Sequence, residues 1–115
     1  MIAVIFEVEI HEGKNSEYLD IAAQLRPMLD KMDGFISVER FQSLSNASKL
    51  LSLSFWRDEE AVVNWRNTLE HRLAQKAGRE HIFSGYTLRI AQVIRDYGLE
   101  RRMEAPTDSK SYHKH

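Results

Sequence analysis

Residues 2–11 alternate. Ile2, Val4, Phe6, Val8 and Ile10 point one way, and Ala3, Ile5, Glu7, Glu9 and His11 the other. A period of two with β-branched residues predicts a strand with one fully apolar face. The run HEGKNSE then turns the chain, with Asn15 or Ser16 placed to cap a helix. From Ser16 to about Met32 the period becomes helical: Tyr18, Ile21, Ala22, Leu25, Met28, Leu29 and Met32 recur in steps of three and four. Pro27 falls inside this run, where its missing N–H costs a hydrogen bond and predicts a kink or a fresh turn. Asp33-Gly34 is expected to end the helix, Gly34 as a left-handed cap.

Alternation resumes over residues 35–44, with Ile36 and Val38 on one face and Phe35, Ser37, Glu39 and Phe41 on the other. After the turn cluster SNAS, KLLSLSFWR reads as a third strand: Leu51, Leu53 and Phe55 oppose Ser52, Ser54 and Trp56. Asp58 is the expected cap of a second helix, and Glu59 and Glu60 suit the positive end of its dipole. That helix is predicted from about Glu59 to Lys76 on a stripe of Val62, Trp65, Leu69, Leu73 and Lys76, closed by Gly78. Residues 86–96 form a fourth predicted strand. Tyr86, Leu88, Ile90, Gln92 and Ile94 share one face, and Thr87, Arg89, Ala91, Val93 and Arg95 the other.

The order β-α-β-β-α-β predicts an α+β fold of the ferredoxin-like kind, an antiparallel sheet with two helices on one face. The other face carries Ile5, Ala91 and Val93, so it reads as a dimerisation surface before anything else. The predicted domain covers residues 1–98. Residues 99–115 form a polar tail, read as disordered or as an arm against a partner subunit.

Composition narrows the function classes. The chain has 115 residues, 43% of them apolar and 29% charged, which suits one domain with a core of its own. A net charge of −1 from 16 basic and 17 acidic residues argues against nucleic-acid binding and gives no reason to invoke a membrane. The absence of cysteine excludes disulfides, thiolate nucleophiles and iron–sulfur clusters. The first residues lack a basic leader and read as a strand, and no apolar run approaches the ~20 residues that span a bilayer, so a cytoplasmic location is expected.

Within the second predicted helix, Asn64, Thr68, His71 and Gln75 are spaced four, three and four, so they share one side. The stripe is polar but uncharged. It suits a pocket lined with hydrogen-bonding groups, or else a solvated face. A histidine there has the ordinary pKa of a general base. Trp65 reads either as a core anchor or as a ring that stacks on a planar substrate. Arg89 is placed to steady an anion, or to pair with Glu7 or Glu9 on the neighbouring strand. His81, in the connection before the last strand, reads as a pocket rim or a loop residue. His113 and His115 lack a third ligand within reach, so no native metal site is expected.

The stretch FWRDEEAVVNWRNTLEHRLAQKAGR leading into FSGYTLRIAQVIRDY resembles the antibiotic biosynthesis monooxygenase domain family over roughly residues 1–98. The resemblance implies a homodimer packed as a dimeric α+β barrel, with a pocket in each subunit between sheet and helices. It implies oxidation of a small planar aromatic or quinol by O2 without metal, flavin or haem. In that reading Trp65 and His71 are the catalytic pair, and Asn64, Thr68, Gln75 and Arg89 bind substrate. The haem-degrading branch needs a first-strand asparagine and a helix histidine, where this chain has Phe6 and Gln75. Glutamine is a poor iron ligand, so the resemblance argues against haem degradation. The alternative from a different class is a non-catalytic dimeric small-molecule-binding or stress-related protein of the same fold.

Overall fold

The computed structural model describes residues 1–69 and 82–106. Its element order is β1 (Ile2–Ile10), α1 (Asn15–Asp30), β2 (Phe35–Gln42), β3 (Lys49–Trp56), α2 (Glu59–Leu69) and β4 (Phe83–Gln92). The strands form one antiparallel sheet in the order β2-β3-β1-β4. This is the ferredoxin-like arrangement that the alternation predicts.

The even-numbered side chains of β1 and β3 face the helices. At one end Val8, Ile10 and Leu50 bury with Tyr18 of α1 and with Ile82. At the other end Ile2 and Trp56 bury with Leu29 of α1 and with Ala61 and Val62 of α2. Ser52 and Ser54 therefore lie on the core side of β3, where small side chains leave room for the neighbouring indole. Trp56 Nε1 donates to Ser54 Oγ at 2.9 Å. Sheet and helices thus share one apolar layer, the condition for a two-layer domain.

Local details depart from expectation. Neither Asn15 nor Ser16 caps α1: Lys14 holds the N-cap position without a side-chain bond, and the helix has already begun at Asn15. Pro27 stands inside α1 without ending it. Lys31 closes the helix, its N–H donating to the Met28 carbonyl at 3.2 Å and the Met32 N–H to that of Leu29 at 3.0 Å, so Gly34 is not the cap. Gly34 instead takes φ 87° in the turn before β2, and its carbonyl accepts from Arg57 N at 2.7 Å.

The faces of β2 also differ. Phe35 pairs with Trp56 and Ser37 with Phe55, leaving Ile36 as an extra bulged residue. A bulge exchanges the faces beyond it. Phe35 and Val38 consequently both turn to the core, and Ile36 is exposed. Strand β4 begins three residues earlier than the alternation suggests, at Phe83, and ends at Gln92.

Beyond β4, residues 96–105 close on themselves. Gly98 N donates to the Arg101 carbonyl, Asp96 N to Glu104 Oε2, and the Arg102 guanidinium lies over the Tyr97 ring at 5.1 Å. Ala105 is buried.

Candidate functional site

Helix α2 starts where its chemistry predicts. Asp58 Oδ1 accepts from Ala61 N at 2.9 Å, satisfying a backbone donor left free at the first turn. That bond, then the Arg57 guanidinium, holds the Asp58 carboxyl below its ordinary pKa. Arg57 also forks onto both carboxylate oxygens of Asp33 at 3.0 and 3.1 Å, which lowers the pKa of Asp33 and ties α2 to the turn after α1.

The first turn pins Ala61 and Val62 against Ile2, Leu29 and Trp56. Trp65 follows three and four residues later, so it lies on the same stripe. It rests partly buried on that group, its ring 6.3 Å from Trp56 and tilted by 30°. The Trp56 ring is 1% exposed and its N–H is taken by Ser54, so Trp56 is architecture. Trp65 keeps an open edge, and among the described residues its N–H has no acceptor.

An apolar row starts at the buried group that Trp65 rests on. Val4, which packs on the same buried group, pairs with Ile90; Phe6 pairs with Leu88, and Val8 with Tyr86. Cover stops at β1. Val8 is fully buried, whereas Ile90, Leu88 and Tyr86 are 40, 45 and 67% exposed. Phe6 lies against Tyr86 at 5.7 Å and against Phe83 at 6.0 Å between ring centroids. From Ile90 to Tyr86 the row runs about 13 Å, four residues at strand spacing. The helix side of β4 thus carries a half-exposed apolar row that ends in Tyr86, a surface suited to a small apolar molecule.

The expected site residues divide. Asn64 is exposed beside Trp65, and Thr68 is half-buried with its hydroxyl given to the Asn64 carbonyl at 3.1 Å. His71, Gln75 and His81 lie outside the described residues, as do His113 and His115. Arg89 pairs with Ile5 on the helix-free face, so it is on the opposite side of the sheet from Trp65. Its guanidinium meets Glu7 at 3.3 Å, and Glu7 also meets Lys49 at 3.6 Å.

Phe6, Leu88, Ile90 and Tyr86 are candidate site residues that sequence reasoning missed. Their signal was the shared face of Tyr86, Leu88 and Ile90, but only the β1–β4 register puts Phe6 beneath them. Two surface depressions lie elsewhere. One, near His11, Asn15 and Ser84, is at the other end of β1, and one, near Phe41, Lys49 and Leu51, is at the edge of β2 and β3. Among the described residues no three His, Asp or Glu side chains converge as metal ligands, and no helix is long and apolar enough to cross a membrane.

Comparison with known proteins bears on this geometry. The family model described as antibiotic biosynthesis monooxygenase matches residues 1–77. The protein named jasmonate monooxygenase ABM, from Pyricularia oryzae, is 48% identical over 93 residues, covering 81% of this chain and 43% of that protein. The chain therefore spans less than half the length of that relative. Among solved structures, Rv0793 from Mycobacterium tuberculosis superposes with a TM-score of 0.70 at 15% identity, covering 84% of this chain and 98% of that one. SnoaB, a cofactor-independent oxygenase from Streptomyces nogalater, superposes with a TM-score of 0.65 at 11% identity over 83% and 94%. At these identities the structural likenesses speak for the fold alone.

Proposed function

The chain belongs to the antibiotic biosynthesis monooxygenase family, and from that premise we propose that it uses O2 to oxidise a small planar aromatic or quinol seated along the β4 row. The observation that carries this reading is the half-exposed apolar row on β4, which starts at the buried group under Trp65. In this reading Trp65 stacks on the substrate and offers its indole N–H. His71, six residues further along the chain, takes the proton from an acidic C–H or phenol. The Asn64 amide donates to the oxygen that gains charge, and Thr68 and Gln75 line the same side. Arg89 stays with its ion pair on the other face.

For a ring methylene activated by neighbouring carbonyl and phenol groups the balance closes without another reagent. One methylene and one O2 give one ring carbonyl and one water: both C–H bonds break, one oxygen atom becomes the carbonyl oxygen, and the other leaves as water with the two hydrogens. The substrate supplies all four electrons. For a quinol both O–H bonds break, and the two protons and two electrons pass to O2, giving the quinone and hydrogen peroxide. Oxygen uptake with anthrones and hydroquinones is the test. Wild type is expected to turn over. Trp65→Phe should lose about tenfold in kcat/KM, the order of one aromatic contact or hydrogen bond. His71→Ala should lose about 100-fold, the low end for a general base. No uptake across the panel would defeat this reading; ligand binding without turnover would leave a non-catalytic binding protein.

The 48% identity to a protein named jasmonate monooxygenase favours a second reading, in which the substrate is a cyclopentanone carboxylic acid of that kind. Hydroxylating a saturated carbon puts one atom of O2 into a C–H bond and reduces the other to water. That reduction takes two electrons and two protons from outside the substrate, so it requires a two-electron donor. Oxygen uptake that needs both jasmonic acid and a reduced nicotinamide or flavin selects this reading; uptake with quinol alone selects the first.

The proposal includes a homodimer formed through the helix-free face, where Leu51, Leu53, Phe55 and Ile5 are half-buried and Phe41 is exposed. Monomers seldom leave so many apolar side chains together on one face. Sedimentation should give twice the chain mass, and Leu53→Arg should shift it to the monomer. A wild-type monomer at micromolar concentration would contradict the dimer.

A further inference from the structure

We infer that Tyr86 is the polar anchor of this site, binding the hydroxyl, carbonyl or carboxylate at the far end of an elongated substrate whose body lies over Leu88 and Ile90. The inference rests on the row being the substrate site and adds the orientation and the polar end of the substrate.

Three observations place Tyr86 in that role. It lies on the helix side of β4, in line with Leu88 and Ile90, because its strand partner is the core residue Val8. Its ring lies against Phe6 at 5.7 Å, which keeps it along the row. It is nonetheless 67% exposed, and among the described residues its hydroxyl has no hydrogen-bond partner. A tyrosine that packs its ring and leaves its hydroxyl unpaired presents an apolar body with a polar tip.

The rest of the row narrows the choice. Leu88 and Ile90 bring no polar atoms. Thr87 and Arg89, the alternate residues of this stretch, pair with Glu7 and Ile5 and point to the opposite face. Gln92 follows at the other end, beyond Ile90 and opposite Ile2. A molecule with its reacting end at Trp65 extends either about 13 Å toward Tyr86 or one strand step toward Gln92. Only the first direction keeps its body on Leu88 and Ile90. The substrate class is therefore a molecule about two or three fused rings long, or an equivalent chain, with a hydrogen-bonding group at the end remote from the reacting carbon.

The test is calorimetric binding of 1-naphthol and of naphthalene, the same ring system without the hydroxyl, to wild type, Tyr86→Phe and Gln92→Leu. Tyr86→Phe should weaken 1-naphthol about tenfold and leave naphthalene unchanged, and Gln92→Leu should bind both as wild type does. Since Tyr86 is exposed, the phenylalanine variant keeps the fold, and unchanged naphthalene binding confirms it. Equal affinities of wild type and Tyr86→Phe for both probes would overturn the inference. So would equal losses on both probes, loss of 1-naphthol on Gln92→Leu alone, or no binding of either probe by wild type. Binding needs no turnover. A protein that oxidises nothing but keeps the Tyr86-dependent preference retains the anchor and loses the oxidation; one that oxidises quinols but binds both probes alike in Tyr86→Phe does the reverse.

Discussion

Trp56→Ala will destabilise the domain by about 3–5 kcal/mol, the cost of emptying a buried aromatic site. Trp56 is 1% exposed and is the point where three elements meet. Its ring lies edge-on to Phe35 of β2 at 5.3 Å and near Trp65 of α2, and its backbone pairs with Ile2 of β1. Truncation opens a cavity that Ser54, across the lost hydrogen bond, is too small to fill. Trp65 loses the surface it rests on, so the variant should also bind ligand more weakly than its residual folded fraction explains. Chemical denaturation measures the first effect. A loss under about 0.5 kcal/mol, inside the range of ordinary surface substitutions, would mean that Trp56 does not organise this end of the core.

Gly34→Ala is expected to be nearly as damaging although it adds one methyl. The φ of 87° places an L-residue in left-handed backbone, at about 1–2 kcal/mol. The new Cβ would also stand 2.6 Å from the Cβ of Ala61, closer than carbon atoms pack. Relieving that contact shifts the start of α2, an overpacking cost of about 1–3 kcal/mol. The same shift pulls on the Arg57 fork to Asp33 and on the Arg57 N–H to Gly34 carbonyl bond. The control is Gly13→Ala, at φ 81° with open space around its Cβ: it carries the backbone cost alone. Thermal melts of the two variants should differ, with Gly34→Ala lower. Equal melts would show that the contact with Ala61 relaxes freely.

Much of this fold is legible in the sequence because each element carries its own period. Strand β1 alternates without error, and α2 announces itself through Asp58, Glu59 and Glu60 followed by the Val62–Trp65 stripe. What was not legible depends on pairing. The bulge at Ile36 exists only with respect to β3, and one extra residue turned Phe35 and Val38 to the same side. Serines on the core face of β3 look like a solvent face until Trp56 is seen to fill the space above them. At the site, Trp65 was visible as part of a helical stripe. The apolar row with Phe6 beneath it was not, because Phe6 and Tyr86 stand 80 residues apart and meet only through the β1–β4 register. Arg89 shows the same limit: alternation put it on a face without saying that the face lies across the sheet from Trp65.

Side-chain packing explains why Trp56 and Gly34 carry stability while Trp65, Tyr86, Leu88 and Ile90 are left partly open. The first pair holds the end of the sheet where α2 begins. The second group borders the face of β4 that the described part of α2 leaves exposed. A protein that only needed a core would gain from covering that row, since each half-buried Leu or Ile forgoes part of the about 1.5–3 kcal/mol of full burial. Leaving it uncovered is consistent with a ligand site.

The most direct test of the central claim follows the oxygen atom. Purified protein is supplied with an anthrone under 18O-labelled dioxygen in ordinary water, and a parallel incubation adds jasmonic acid with a reduced nicotinamide. Mass spectrometry of the products should find one 18O per oxidised molecule in one arm, with one O2 consumed for each. Product carrying no 18O in either arm, or none formed above the protein-free control, would contradict the claim that this chain is a monooxygenase.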